Sequence, residues 1–197
     1  MTDPIAIRPA APDDLDAVLA LEDAGFDQAA RWSRDSWAAE LAGADRCVLV
    51  AVDAEGSRRA RPTDSRLLGV ATVQLVAETA DLHRVVVAPE QRGRGIGRAL
   101  VEAGIAWAAQ RQGRRMLLEV EHDNAPALAL YRRLGFADLA RRDDYYGTGR
   151  HALVLQRDLA GIADLAGTDD FAGTDGLAGA DGLTRGTGHI TEGELIG

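Results

Sequence analysis

The chain has 197 residues, 46% of them apolar, which is enough for one well-cored domain and too little for two large ones. A net charge of −9 argues against a nucleic-acid partner, which is held by neutralising its phosphates. No apolar run is long enough to span a bilayer, Met1-Thr-Asp-Pro4 lacks the pattern of a secretory leader, and the single Cys47 cannot form an internal disulfide. These features predict a cytoplasmic protein with no membrane and no nucleic acid among its partners.

Taken in chain order, Ile5–Arg8 reads as a short strand. Pro12, Asp13 and Asp14 suit a first helical turn, where proline loses no hydrogen bond and acid complements the dipole; Leu15, Val18, Leu19 and Leu21 continue as an apolar stripe. Ser33 is placed as the N-cap of a second helix carrying Trp37 and Leu41. Cys47–Val52 and Leu67–Val76 read as strands joined by a loop at 53–65, with Cys47 a core residue rather than a nucleophile. Leu82–Val87 is a strand stopped by Ala88-Pro89. From Ile96 to Arg111 a helix repeats Ile96, Leu100, Gly104 and Trp107 on one face. Met116–Glu121 is a strand, Asn124–Leu134 a helix closed by Gly135, and Phe136–Ala140 and His151–Leu155 finish the sheet. The fold class is α/β (α+β), with about seven strands and about four helices over residues 1–159.

Residues 160–197 differ in kind. They hold Asp164, Asp169, Asp170, Asp175, Asp181, Glu192 and Glu194 against one base, Arg185. Loose repeats run through them, as in Ala166-Gly-Thr-Asp169 and Ala172-Gly-Thr-Asp175. With so little apolar surface to offset the entropy of ordering, the expectation is a disordered acidic tail. Calcium-binding nonapeptide repeats need denser glycine than this.

The most informative stretch is Pro89-Glu-Gln-Arg-Gly-Arg-Gly-Ile-Gly97, set between a strand and a helix. Its glycines let the backbone turn N–H groups toward a ligand, the helix N-terminus adds more, and Arg92, Arg94 and Arg98 add positive charge. Such a loop would cradle a pyrophosphate. It fails the dinucleotide pattern G-x-G-x-x-G, since Arg98 or Leu100 stands at the third glycine, and it lacks the Gly-Lys-Ser/Thr of a Walker loop. A solvated turn opening a helix is the remaining alternative.

Arg92-x-x-Gly95-x-Gly97 resembles the coenzyme A pyrophosphate loop of GNAT acetyltransferases. Further segments resemble that superfamily in the same order: Val87-Ala-Pro89, Leu117-Leu-Glu-Val-Glu121, Asp123-Asn124, and Ala129-Leu-Tyr-Arg-Arg-Leu-Gly-Phe136. The likeness spans about residues 4–158 and implies a GNAT fold, mostly antiparallel, with acetyl-coenzyme A as co-substrate. Within the superfamily, Arg31-Trp-Ser33, Leu118-Glu-Val120, Asn124 with the Tyr131 helix, and Arg141–Tyr146 look most similar to the ribosomal-protein alanine N-acetyltransferases (RimI type). That likeness implies Glu119 as general base and Tyr131 as general acid. It implies coenzyme contacts from Val85, Val86, Val87, the loop Arg92, Gly93, Arg94, Gly95, Ile96, Gly97 and Arg98, and Asn124. The implied acceptor is a protein N-terminus, that of a ribosomal protein. His83, Arg84, the Ala-Arg before Trp32, and Glu121-His122-Asp123 depart from the usual pattern.

The chemistry fits the residue types. An α-amine with a reference pKa near 8 is about a tenth neutral at pH 7, a lysine amine far less, so an N-terminal acceptor needs only a modest base. Glu119 serves if burial raises its pKa; Glu121, on the same strand face, and His122 are alternatives. Asn124 and Tyr131, seven apart, are expected on one helix face, the first holding the coenzyme's arm while the phenol reaches the departing sulfur. An N–H from Val85–Val87 would polarise the thioester carbonyl. His83 is expected to share a strand face with Val85 and Val87 as a polar wall of the substrate cleft. Trp32, Tyr145 and Tyr146 would line a peptide groove or pack in the core. His151 and His189 lack metal-ligand spacing, so no metal is expected. Two other functions compete: transfer to a small amine such as a polyamine, amino sugar or amino acid, and a non-catalytic acyl-coenzyme A-binding module.

Overall fold

The computed structural model describes residues 4–53 and 66–160. The tail repeats and most of the 53–65 loop lie outside the described residues. Seven strands form one sheet: β1 (Ile5–Pro9), β2 (Arg46–Asp53), β3 (Leu67–Val76), β4 (Thr79–Val87), β5 (Arg115–Glu121), β6 (Ala137–Gly147) and β7 (Arg150–Asp158). Their order is β1-β2-β3-β4-β5-β7-β6. Every pairing is antiparallel except that of β4 with β5. Among the described residues four α-helices cover it: α1 (Leu15–Gly25), α2 (Arg34–Ala42), α3 (Ile96–Gln110) and α4 (Ala125–Arg133). The sequence-predicted mixed, mostly antiparallel sheet with helices is therefore what forms.

The central strands read as unbroken apolar runs because both faces are covered. Val48, Val50 and Val52 of β2 pack under α1 and α2 with Val18, Leu21 and Trp37. Their neighbours Cys47, Leu49 and Ala51 face Ile96, Leu100 and Ile105 of α3. Gly104 lets that helix come close, since a Cβ there would stand 2.8 Å from a Val73 methyl. Ser33 caps α2 as expected, its hydroxyl accepting from the Ser36 N–H at 3.1 Å.

Boundaries move where charge hides a strand. Pro12–Asp14 is a 3-10 turn ahead of α1, fixed by Asp14, which accepts from the Ala11 N–H at 2.7 Å and from Arg8. β6 runs on through Arg141-Arg-Asp-Asp144 to Gly147, well past the predicted end at Ala140. An edge strand exposed along most of its length needs no apolar alternation, only its backbone ladder to β7.

Two irregularities shape the centre of the sheet. β4 and β5 pair only from Thr79 to Asp81 against Arg115 to Leu117, so beyond that point the two strands part. In the β3–β4 ladder, Thr72 opposes Arg84 while Val73 opposes Leu82, leaving His83 as the extra residue of a bulge. The bulge puts Ala80, Leu82, Val85 and Val87 on the α3/α4 side, and sends Val86 to the α1/α2 side.

Candidate active site

The loop after β4 is built for an anion. Pro89–Gln91 make a 3-10 turn, and Gly93 and Gly95 then take φ of +75° and +78°, the left-handed region that glycine enters without strain. Gly95 is also the N-cap of α3, so no side chain caps that helix and its first N–H groups stay open. They face a cavity of about 290 Å³ lined by Val87, Gln91, Arg92, Gly93, Gly95, Ile96, Gly97, Arg98, Pro126, Leu130 and Arg133. The Arg92 Nε is buried there with no hydrogen-bond partner among the described residues, a donor disposed to take an anion.

Of the predicted coenzyme residues, Val87, Arg92, Gly93, Gly95, Ile96, Gly97 and Arg98 line this cavity. Val85 and Val86 sit in the two core clusters, one on each side of the sheet. Arg94 turns aside to Gln91. Asn124 stands outside the cavity lining: it is the N-cap of α4, its side-chain oxygen accepting from the Ala127 N–H at 3.1 Å. Tyr131 turns into the core at 1% exposure, its ring edge-on to Phe136 at 5.8 Å. Asn124 thus starts the helix whose buried face carries Ala127, Leu128 and Tyr131. The face of α4 that meets the cavity is Pro126, Leu130 and Arg133. Their spacing of four and three was visible in the sequence, but only the fold shows which helix faces α3.

The opposite side of the sheet gathers the acids. Along β5, Met116, Leu118 and Val120 pack toward α3 and α4, so the alternation puts Leu117, Glu119 and Glu121 on the α1/α2 side. Glu119 is 13% exposed; Arg142 Nη1 of β6 stands 2.5 Å from its Oε1, and Tyr145 hydrogen-bonds to it. Burial, with Glu119 beside it, pushes the Tyr145 phenol up to about 12. Glu121 is held at two points by Arg150, at 2.5 and 3.0 Å. The His122 ring meets His151 edge-on at 5.0 Å. Burial, and to a lesser degree the Glu119 charge, raises the Asp81 carboxyl above its ordinary range.

His83 also faces this side, contrary to the expectation that it accompanies Val85 and Val87; the bulge shifts the alternation by one residue. Its Nδ1 lies 3.5 Å from Glu40 Oε1, and its ring 6.5 Å from that of Trp32. Trp32 in turn packs on Trp37 at 5.2 Å. Tyr145 and Tyr146 meet each other edge-on at 5.0 Å, and Tyr145 hydrogen-bonds to Glu119 of β5. The charges of His83 and Glu119 both act on Asp81, so Trp32, His83, Asp81, Glu119 and Tyr145 line one face across the gap between β4 and β5. The role of Arg142 went unread in the sequence; it sits in a charged run that looks like any solvated edge.

A mixed seven-stranded sheet that parts at its one parallel pairing, followed by a glycine loop and an open helix end, is a framework that can hold an anionic group at a helix N-terminus. The chain belongs to the acetyltransferase (GNAT) family, whose sequence profile matches residues 18–136. It is 26% identical over 76% of its length to a Bacillus subtilis protein put forward as a [ribosomal protein bS18]-alanine N-acetyltransferase. It is 37% identical over 59% of its length to the streptothricin acetyltransferase of Streptomyces lavendulae. The crystal structure of the ribosomal-protein-S18-alanine N-acetyltransferase from Escherichia coli superposes with a TM-score of 0.68 at 26% identity, covering 79% of this chain and 94% of that one. The chain spans 93% of the Bacillus protein, 60% of the Streptomyces one, and 41% of a Mycobacterium leprae relative that is 32% identical to it.

Proposed function

We propose that this chain transfers the acetyl group of acetyl-coenzyme A to the N-terminal α-amine of a protein, a ribosomal protein beginning with alanine, in the cytoplasm. The observation that carries the transfer is the open N-terminus of α3, which meets the gap between β4 and β5. The open helix end, with Arg92, Arg98 and Arg133, would hold the coenzyme's phosphates. The N–H groups of β4 freed beyond Asp81 would face the thioester carbonyl. The choice of a protein acceptor rests on the Bacillus and Escherichia coli relatives, which match this domain over nearly their whole lengths.

The reaction is a direct displacement. The neutral amine nitrogen bonds to the acetyl carbon, the carbon–sulfur bond breaks, and the thiolate leaves with a proton from Tyr131. Glu119 takes the proton lost by the amine, through water, once its contacts with Arg142 and Tyr145 open toward the acceptor. The catalytic unit is residues 1–159, and removing 161–197 should leave turnover intact.

The test is acetyl-coenzyme A turnover with peptides bearing free N-termini (alanine-initiated ones included), lysine peptides with blocked N-termini, and polyamines. Transfer confined to free N-termini supports this reading. The Streptomyces relative favours a second one, a small-amine acceptor, and activity on small amines alone would select it. Coenzyme binding with no product from any amine would point to a binding module.

A further inference from the structure

The Arg84 side chain is 0% exposed and that of its partner Glu22 1%. Removing two charges from water carries a desolvation cost that their attraction often fails to exceed, and apolar replacements of similar volume are commonly as stable. The connections of this pair point to another role. Arg84 Nε donates to Glu22 Oε2 at 3.3 Å, while Nη2 donates to the other carboxylate oxygen and, at 2.7 Å, to the Ala30 carbonyl. The guanidinium lies 3.5 Å over the Phe26 ring and 5.2 Å from that of Trp32. Glu22 also accepts from the Trp32 backbone N–H at 2.8 Å.

The segment so gripped has little structure of its own. Between the end of α1 and the start of α2 it contains only the 3-10 turn Gln28–Ala30. Its far end carries Trp32, beside His83. Its anchor is the β4 bulge at His83, two residues beyond the last pairing of β4 with β5 at Asp81.

We propose that Arg84 and Glu22 are positioning residues for the acceptor. They lock Trp32 to the β4 bulge, so that the acceptor wall and the thioester-facing strand edge keep one fixed relation. The inference rests on the acetyl-transfer reading, which puts the acceptor on the Trp32 face.

The experiment exchanges both charges together, Glu22→Gln with Arg84→Met, so that no buried charge is left alone. The acetyl-coenzyme A Kd should stay within about twofold, while the acceptor KM rises roughly tenfold with a smaller change in kcat. Amide exchange over residues 26–33 should quicken while the rest of the domain keeps its protection. Because the pair acts through Trp32, the same exchange in a Trp32→Ala background should add little to the acceptor KM. A parent-like KM, or an increase that adds in full to that of Trp32→Ala, would overturn the proposal. Should the parent turn over no acceptor, the acetyl-transfer reading fails, and unchanged exchange at 26–33 would still sink the clamp on its own terms. If the paired variant does not fold, Arg84→Lys keeps the charge opposite Glu22 but loses the planar fork and its stacking; it should shift KM and exchange in the same direction.

Discussion

The two sides of the gap between β4 and β5 are built from different materials. On the proposed coenzyme side the frame of the anion site is backbone, two left-handed glycines and an uncapped helix end, with the buried Arg92 Nε beside it, unpartnered among the described residues. On the acceptor side the site is side chains, and they are spoken for: Glu119 by Arg142 and Tyr145, Glu121 by Arg150, and Glu40 by Thr72 and Arg46. A backbone site stands ready before its ligand arrives. A paired side-chain site must exchange partners to act, so its residues can serve structure, catalysis or both.

The largest effect expected is on the acceptor side. If Glu119 is the base, Glu119→Gln should lower kcat by about 10²–10⁴-fold, and most at low pH, where the amine is most protonated. Arg142→Ala removes only a half-exposed ion-pair partner and should change turnover far less. Similar small effects from both, across pH 6–9, would reduce Glu119 to a structural ion pair and leave the acceptor side without its base.

Next comes the cradle. A Cβ at Gly95 would meet no neighbour within 4 Å, so the loss expected of Gly95→Val comes from forcing a branched residue to φ +78°. At about 1–2 kcal/mol or more of strain, the loop should shift and coenzyme affinity fall at least tenfold by calorimetry. Arg92→Ala should weaken binding by a similar factor while leaving the fold intact. Unchanged affinity in both would mean that the open end of α3 is not where the phosphates sit.

This contrast also sets what was legible in the sequence. Gly93 and Gly95 announce themselves because a positive φ in the turn that opens a helix demands that residue type. The Ser33 cap and the apolar runs of β2 and β3 were legible for the same local reason. Arg133, Arg142 and the Arg84–Glu22 pair were not, since their meaning lies in contacts with residues distant in the chain, 62 apart for Arg84 and Glu22. His83 was read onto the wrong face because a bulge, which no local pattern marks, resets the alternation of β4. That the Asn124 side-chain oxygen starts α4 was likewise not legible from its spacing.

A smaller effect separates structural acids from catalytic ones. Burial pushes the Glu40 carboxyl up, yet the nearby His83, the hydrogen bond from Thr72 and the charge of Arg46 outweigh it and hold it below its ordinary value. Asp14 behaves likewise, with Arg8 and the Ala11 N–H overcoming burial. A carboxyl lowered in the fold stabilises it above its unfolded pKa, and that contribution drains away as pH falls through the folded value. Thermal stability should therefore decline below about pH 4. Glu40→Gln should cost roughly 1–3 kcal/mol at pH 7 and flatten that decline. Asp81 has the opposite sign: its raised carboxyl favours the fold on protonation, so Asp81→Asn should stabilise at neutral pH. A parent with the same melting temperature at pH 3 and pH 7 would show that these buried pairs carry no such linkage.

The smallest effect belongs to a residue on neither side of the gap. Cys47 lies in β2, and burial pushes its thiol up to about 11, despite the opposing charge of Arg111. At pH 8 only about one thiol in a thousand is then ionised, and the thiolate is the reactive form. Alkylation by iodoacetamide should accordingly be slow in the native protein and become fast and stoichiometric in denaturant. Saturating coenzyme should slow it further only by stabilising the fold as a whole, since Cys47 is not among the residues that line the cradle. Rapid native labelling that coenzyme blocks outright would place Cys47 at a ligand site and break the division between a backbone cradle and a side-chain acceptor face.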